Sequence, residues 1–471
     1  MYNKQRVMKA HISAVVLRWD CGILFSGETT RMKWYENAVF YHIYPIGYFG
    51  CERINDQQSE PSHVILKLID DIPHIKSLGC NAIYFGPVFE SVAHGYDTID
   101  YTKIDRRLGT NEDFKKVCDA LHENGIKVVL DGVFNHVGRD FTAFRDVREH
   151  KLGSARKDWF HVREGNSPYN DGFYYEGWEG HYELVKLNLY NSDVKNYIKD
   201  CITGWKNEFG IDGLRLDVAY CLDQNFLKEL RGHCKWLSED FFLLGETLHG
   251  DYNTWMNDQM LDSVTNYECY KGLFSSFNDL NMFEIAHSLN RQFGSEHWCI
   301  YRGKHLFTFV DNHDVTRIAS MLKQKELLPA IYTMMFMMPG IPAVYYGSEF
   351  GVLGDKRGNS DDILRPAFDL EKMKNEGICD LTKHIAALAE IQKNHPAAAD
   401  GDYNQVLLTN RQYAFSRTCG DETLIIVINA DGAPFTFNLN RGGSAVDLLT
   451  GNTVELGGLT LPAYGSMVLK A

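Results

Sequence analysis

No run of apolar residues in this 471-residue chain is long enough to cross a bilayer. No CxxC pair occurs among its 11 cysteines, which argues against a zinc site. Their odd number and irregular spacing suit a reducing compartment, the cytoplasm, better than an oxidising one. Positive charge is in short supply: 48 Lys and Arg stand against 62 Asp and Glu, leaving a net charge of -14. Such a chain repels phosphate backbones and anionic lipid, so neither nucleic acid nor a membrane surface is expected as a partner, whereas a neutral substrate is compatible. Internal repeats and low-complexity tracts are missing too. An export signal is not expected either: the apolar stretch 11–17 is interrupted by Arg18 and Asp20 before it reaches the length of a secretory core. Recognisable pattern starts at Trp34, and Met32 is an alternative start of translation.

What is present is ordinary for a globular enzyme, 44% hydrophobic and 23% charged. Aromatic residues reach 13%. Sugar sites use aromatic faces as platforms, but so do cores, and the figure alone favours cores. From Val39 to about Glu349, short β-branched or aromatic runs alternate with amphipathic helices. Strands are expected at 39–45, 82–85, 127–134, 213–217, 241–246, 263–266, 306–310 and 343–346. Helices are expected at 62–78, at 110–124 with Thr110 as N-cap, and from about 191. Eight strand–helix units imply parallel strands with right-handed crossovers, an α/β (β/α)8 TIM barrel. A Rossmann sheet is the alternative, but no GxGxxG follows a strand in the right context.

Two stretches break the alternation. Residues 137–186 form an insert after strand three, rich in Gly, Tyr, Trp and His, too long for a plain loop. Residues 400–471 switch to short alternating β runs with Gly and Asn turns, a C-terminal antiparallel β-sandwich. The expected division is therefore an N-terminal extension (1–33), barrel (34–136), insert (137–186), barrel again (187–399) and C-terminal domain (400–471).

In such a barrel, catalytic groups gather at the C-terminal ends of the strands. Strand three ends with Asp131, Asn135 and His136, strand four with Arg215 and Asp217, strand five with Glu246, and strand seven with Asp311, His313 and Asp314. A single Asp at a strand end is more often a cap or an ion-pair partner. Three acids at successive ends, Asp217, Glu246 and Asp314, are harder to explain that way, because buried carboxylates are costly unless paired or used. Arg215 lies two residues before Asp217, hence on the same face of the strand, and is expected to hold Asp217 ionised with a depressed pKa. Glu246 follows the apolar run 241–244, a setting expected to keep it protonated. Glycosidic cleavage needs that inventory: one protonated carboxyl for the leaving oxygen, and one ionised carboxyl to attack or to activate water. Asp314 would stabilise the oxocarbenium-like state.

The motifs DGVFNH (131–136), GLRLD (213–217), Gly245–Glu246 and FVDNHD (309–314) resemble, in order, the four signature regions of the α-amylase family, glycoside hydrolase family thirteen. GYDTIDY (95–101) and GIPAVYYGSE (340–349) resemble two further family segments, so the likeness runs over nearly the whole chain. It implies a barrel with an insert and a C-terminal sandwich, and retention through a glycosyl-enzyme intermediate. Asp217 would be the nucleophile, Glu246 the acid/base and Asp314 the transition-state stabiliser. His136 and His313 would hydrogen-bond the sugar being cleaved, Tyr96 would stack on it, and Arg215 would orient the nucleophile. Arg365 with Asp361 or Asp362 resembles the pair that clamps the next sugar out; a surface ion pair is the other reading.

LVKLNL (184–189) resembles the MPKLN segment of neopullulanases and cyclomaltodextrinases, with Leu184 and Val185 in place of Met and Pro. Leu248 stands where those enzymes usually carry Trp. The extra N-terminal β-domain of those enzymes is not evident in the residues before the barrel. Asn135 matches a family calcium ligand, but no DxDxDG-like loop accompanies it, so no metal or other cofactor is assigned. The expected activity is hydrolysis of α-1,4 bonds in maltodextrins or cyclodextrins. The alternatives are 4-α-glucanotransfer through the same intermediate, and a non-catalytic glycan- or partner-binding barrel.

Overall fold

The computed structural model describes residues 32–356, 360–439 and 441–471. The expectations for the N-terminal extension fall on residues 1–31, outside the described residues, apart from its last two positions. Eight parallel strands form the central sheet: β1 (Phe40–Ile43), β2 (Ala82–Phe85), β3 (Lys127–Gly132), β4 (Gly213–Leu216), β5 (Phe242–Gly245), β6 (Ser263–Val264), β7 (Phe307–Thr308) and β8 (Ile341–Tyr345). Neighbours pair in chain order, and β8 returns to β1 through Phe40 and Ala343. A parallel bridge between Thr265 and Phe307 joins β6 to β7 and closes the barrel. Several strands are shorter than the apolar runs that encode them. β6 and β7 are two residues each, because the apolar flanks continue as loop.

Alternation along each strand makes two cores. Outward residues, such as Ile83 and Phe85 on β2, Val128 and Leu130 on β3, and Leu214 and Leu216 on β4, pack under the surrounding helices. Inward residues Phe40, Ala82, Val129, Phe242, Leu244, Phe307 and Ala343 fill the barrel. Two residues further up the same inward rows, the chemistry changes. Phe40 is followed by His42, Ala82 by Tyr84, Val129 by Asp131, Gly213 by Arg215 and Leu244 by Glu246. The register sets Arg215 directly beside Asp131 on β3 and Leu244 on β5. A dry lower half thus supports a polar upper layer by strand periodicity alone.

The helices start where the sequence supplies caps. Thr110 accepts from Asp113 N ahead of Asn111–Glu123, and Asn191 accepts from Asp193 N ahead of Ser192–Phe209. The helix expected over 62–78 begins as a 3-10 turn, Val64–Lys67, and becomes α-helical at Leu68–Ser77. The insert leaves β3 through strand His136–Gly138, carries helix Thr142–His150, and returns through strand His181–Lys186, which pairs with the first. The salt bridge Arg139–Asp171 ties its middle to its start at 2.8 Å. In the C-terminal domain a six-stranded antiparallel sheet uses both faces. Leu424, Ile426 and Ile428 join the barrel's core, while Ile425 and Val427 pack against Phe437 and Leu461 of a two-stranded ribbon. Nine of the ten described cysteines, Cys419 set aside, are free thiols. Among the described residues, no helix is long and apolar enough to cross a membrane.

Candidate active site

Arg215 is the hub of the polar layer. Its side chain is 4% exposed, and its Nη1 donates to both oxygens of Asp131, at 3.0 Å each, and to Asp217 Oδ1 at 2.8 Å. Its Nη2 lies 2.9 Å from Glu246 Oε1. One buried cation therefore serves three carboxylates. That corrects the expectation for Asp217. Burial pushes its carboxyl above the usual range, and repulsion from Glu246 and Asp131 adds to this; Arg215 opposes both but is shared. Burial also pushes Glu246 up, again against Arg215. Repulsion from Asp314 adds to the upward push on Glu246.

The backbone also acts on Glu246. Val218 sits in the left-handed region, at φ 39° and ψ 48°. For a β-branched residue this costs about 1–2 kcal/mol. The strained turn aims its N–H at Glu246 Oε2, 2.9 Å away, a contact that favours the carboxylate and, with Arg215, tempers the upward push of burial.

A second group adjoins the first. Tyr84 and Tyr96 both donate to Asp131 Oδ2, at 2.9 and 3.1 Å. The Tyr96 hydroxyl also meets His313 Nε2, and the two rings stack with centroids 5.7 Å apart. His313 Nε2 lies 3.0 Å from Asp314 Oδ2, and Arg365 Nη2 donates to Asp314 Oδ1 at 2.8 Å. Burial alone would raise Asp314, but His313, Arg365 and Arg215 outweigh it and hold the carboxyl well below the usual range. Arg365 also reaches Asp361 Oδ2 at 3.2 Å. The register left open at 361 or 362 is thereby resolved: Asp362 points away to Arg53 as an exposed pair. Arg365 is no surface residue, with 12% of its side chain exposed.

All nine candidate residues lie at one mouth. Eight of them form a continuous chain of contacts bridged by Asp131: Asp361, Arg365, Asp314, His313 and Tyr96 on one side of it, Arg215, Asp217 and Glu246 on the other. His136 stands alongside, its Nε2 3.9 Å from Asp217 Oδ2. That nitrogen is buried without a hydrogen-bond partner, as is His313 Nδ1. Burial pushes His136 down to about 3, so it is the neutral imidazole that faces the mouth. Asn135 donates to His136 Nδ1 at 3.1 Å, and its carbonyl carries Leu187 N. Among the described residues no three His, Cys, Asp or Glu side chains converge as metal ligands would.

Four contributors were not singled out from sequence. Asp131 stood at its strand end but was given no task, although it anchors Arg215 and both tyrosines. Tyr84 lies within the strand expected at 82–85; its place two residues above Ala82 on an inward row is the available signal. Trp178 of the insert stacks on His136 at 5.6 Å, and Lys356 bonds Asp361 Oδ1 and the Asp314 carbonyl. Nothing in spacing marks either one. Asp311, by contrast, is structural: it accepts from Ser348 Oγ and Ile318 N.

A barrel whose mouth gathers three acids around one guanidinium, beside a neutral imidazole, is the class of fold and site built for breaking glycosidic bonds. The alpha amylase catalytic domain matches residues 65–395, and the maltogenic amylase C-terminal domain matches residues 404–468. The chain belongs to the α-amylase family of glycosidases. It is 30% identical to a cyclomaltodextrinase of a Bacillus species over 87% of this chain and 75% of that protein. It is 31% identical to neopullulanase 2 of Thermoactinomyces vulgaris over 93% of this chain and 78% of that one. Among solved structures, the ligand-free cyclic alpha-maltosyl-(1→6)-maltose hydrolase of Arthrobacter globiformis superposes with a TM-score of 0.79 at 29% identity, covering 93% of this chain and 99% of that one.

Proposed function

We propose that this enzyme hydrolyses α-1,4-glucosidic bonds of maltodextrins or cyclodextrins by double displacement. Asp217 acts as nucleophile, Glu246 as acid/base and Asp314 as transition-state stabiliser. The observation that carries this reading is the single Arg215 guanidinium holding Asp217 on one nitrogen and Glu246 on the other. Two carboxyls on one fork are close neighbours, which suits the roughly 5–5.5 Å spacing of retaining enzymes better than the wider gap that admits a water between them.

In the state that reacts, Glu246 carries a proton, which burial and the apolar wall below it favour. Asp217, left ionised and oriented by Arg215, attacks the anomeric carbon as Glu246 protonates the departing glycosidic oxygen. The glycosyl ester on Asp217 is then hydrolysed by a water that Glu246, now the base, deprotonates. The unpartnered ring nitrogens of His136 and His313 supply hydrogen bonds to the sugar at the point of cleavage, and Tyr96 supplies an aromatic face. Calcium is given no part. Free cysteines support a cytoplasmic location.

The deciding experiment is a product profile on maltotetraose, β-cyclodextrin, pullulan and isomaltose. Glucose and maltose from the first two, with isomaltose untouched, is the expected result. Accumulation of products longer than maltotetraose would make the enzyme a 4-α-glucanotransferase instead.

A further inference from the structure

Asn135 lies outside the chain of contacts at the mouth, yet its side chain is buried and its amide is committed. The amide Nδ2 meets His136 Nδ1 at 3.1 Å. An amide nitrogen can only donate, so Nδ1 must accept and carries no proton. The one proton of this neutral ring is then on Nε2, because the hydrogen bond made by one imidazole nitrogen sets the state of the other. A separate contact agrees. Nε2 lies 3.9 Å from Asp217 Oδ2, where an N–H is attracted to the ionised carboxylate and a bare lone pair would be repelled by it. The ring is also held in its orientation. Trp178 stacks on it at 5.6 Å with 29° between the planes, and His181 stacks on Trp178 in turn at 5.6 Å. The main chain is pinned by the return strand of the insert: Leu187 N donates to Asn135 O at 2.9 Å, and Lys186 is the register partner of His136.

We propose that Asn135 is a positioning residue that fixes the tautomer of His136, so that the imidazole presents an N–H rather than a lone pair to the sugar being cleaved. The hydroxyl that meets His136 is therefore an acceptor there, and its own proton goes to a different partner. The same N–H lies towards Asp217, so a hydroxyl drawn to it is held beside the nucleophile. The insert enters the chemistry by this route, since its return strand fixes the backbone of both Asn135 and His136 and its Trp178 fixes the ring. The inference rests on the sugar contact given to His136 above, but the tautomer is a property of the resting enzyme.

The test reads that tautomer in the full chain with isotope-labelled histidine, by long-range proton–nitrogen NMR correlation at neutral pH. The His136→Gln protein identifies the signal by its disappearance. Wild type is expected to show a protonated Nε2 and a bare Nδ1. Asn135→Asp keeps the size of the side chain and cannot donate, so in that protein the proton should appear on Nδ1. Asn135→Leu keeps the size, makes no hydrogen bond and frees the ring to populate both tautomers. Its kcat/KM on maltotetraose should fall about 10-fold per folded molecule, the scale of one hydrogen bond. A proton on Nδ1 in wild type, alone or with one on Nε2, would overturn the assignment, as would a bare Nδ1 in Asn135→Asp. Full activity in Asn135→Leu would remove Asn135 from its positioning role. The spectra are taken without substrate, so they are decided independently of the product profile, in which a failure of the functional reading itself would show.

Discussion

Two buried arginines, about as deeply enclosed as each other, do opposite things in this molecule. Arg215, under the mouth, faces Asp131, Asp217 and Glu246, three acids for one cation. Arg317, beneath the loop after β8, spends its guanidinium on the carbonyls of Leu364 and Tyr346 and on Ser348 Oγ, and Ser348 in turn satisfies Asp311. Around Arg317 the hydrogen-bonding capacity is consumed by protein, which fastens the loop that carries Arg365. Around Arg215 there is surplus negative charge, and two imidazole nitrogens nearby have no partner. Buried polarity that is spent holds a fold; buried polarity left over is what a substrate can use.

That contrast can be broken by substitution. The largest effect belongs to the mouth. Asp217→Asn is expected to lower turnover by about 10^4-fold or more, with circular dichroism and unfolding midpoint close to wild type. Near-normal activity would remove Asp217 from its role. Arg317→Met should do the reverse. It strands the Tyr346 carbonyl, takes the guanidinium from Leu364 O and Ser348 Oγ, and leaves Asp311 without its neighbouring cation, so a loss of about 3–5 kcal/mol in urea unfolding is expected, while activity per folded molecule stays within a few-fold. A strongly inactive yet stable Arg317→Met protein would erase the distinction.

Next comes pH. The acid must be protonated to act, and burial raises Glu246, so the alkaline limb of kcat/KM should lie above the ordinary glutamate range. Activity is lost as pH climbs through that raised value. In Glu246→Gln, assayed on a glycosyl fluoride that needs no protonation, the limb should vanish; its persistence would assign it to another group. The smallest effect separates the two acids that sequence could not tell apart. Asp362→Ala removes an exposed pair with Arg53 and should change stability by no more than about 0.5 kcal/mol and activity hardly at all. Asp361→Ala should lower the rate on maltotetraose by more, because Asp361 holds the Arg365 guanidinium beside Asp314.

The barrel was legible because strand periodicity and helix caps are local. Thr110, Asn191 and the apolar rows of β2 to β5 each announce themselves within a dozen residues. The triad was legible because its members end three strands, the fourth, fifth and seventh, at the same side of the barrel. The hub role of Asp131 was not, since the sequence shows which residues share a strand but not that one guanidinium on β4 would be divided across β3, β4 and β5. Burial of Asp217, with Arg215 shared among three acids, is why its expected depression did not hold. Trp178 and Lys356 sit in connecting segments with no periodicity, and their arrival at the mouth depends on how those segments pack. The left-handed Val218 ran against its residue type, the kind of local conflict that marks a site shaped for function.

The account's central claim is that Asp217 and Glu246 work at the short spacing of a retaining pair. Proton NMR of the products in the first minutes of maltotetraose cleavage tests it most directly, before mutarotation blurs the anomers. The newly freed reducing end should appear as the α-anomer, with the β-anomer growing in only later. An initial β-anomer would mean inversion, and would contradict the covalent role given to Asp217.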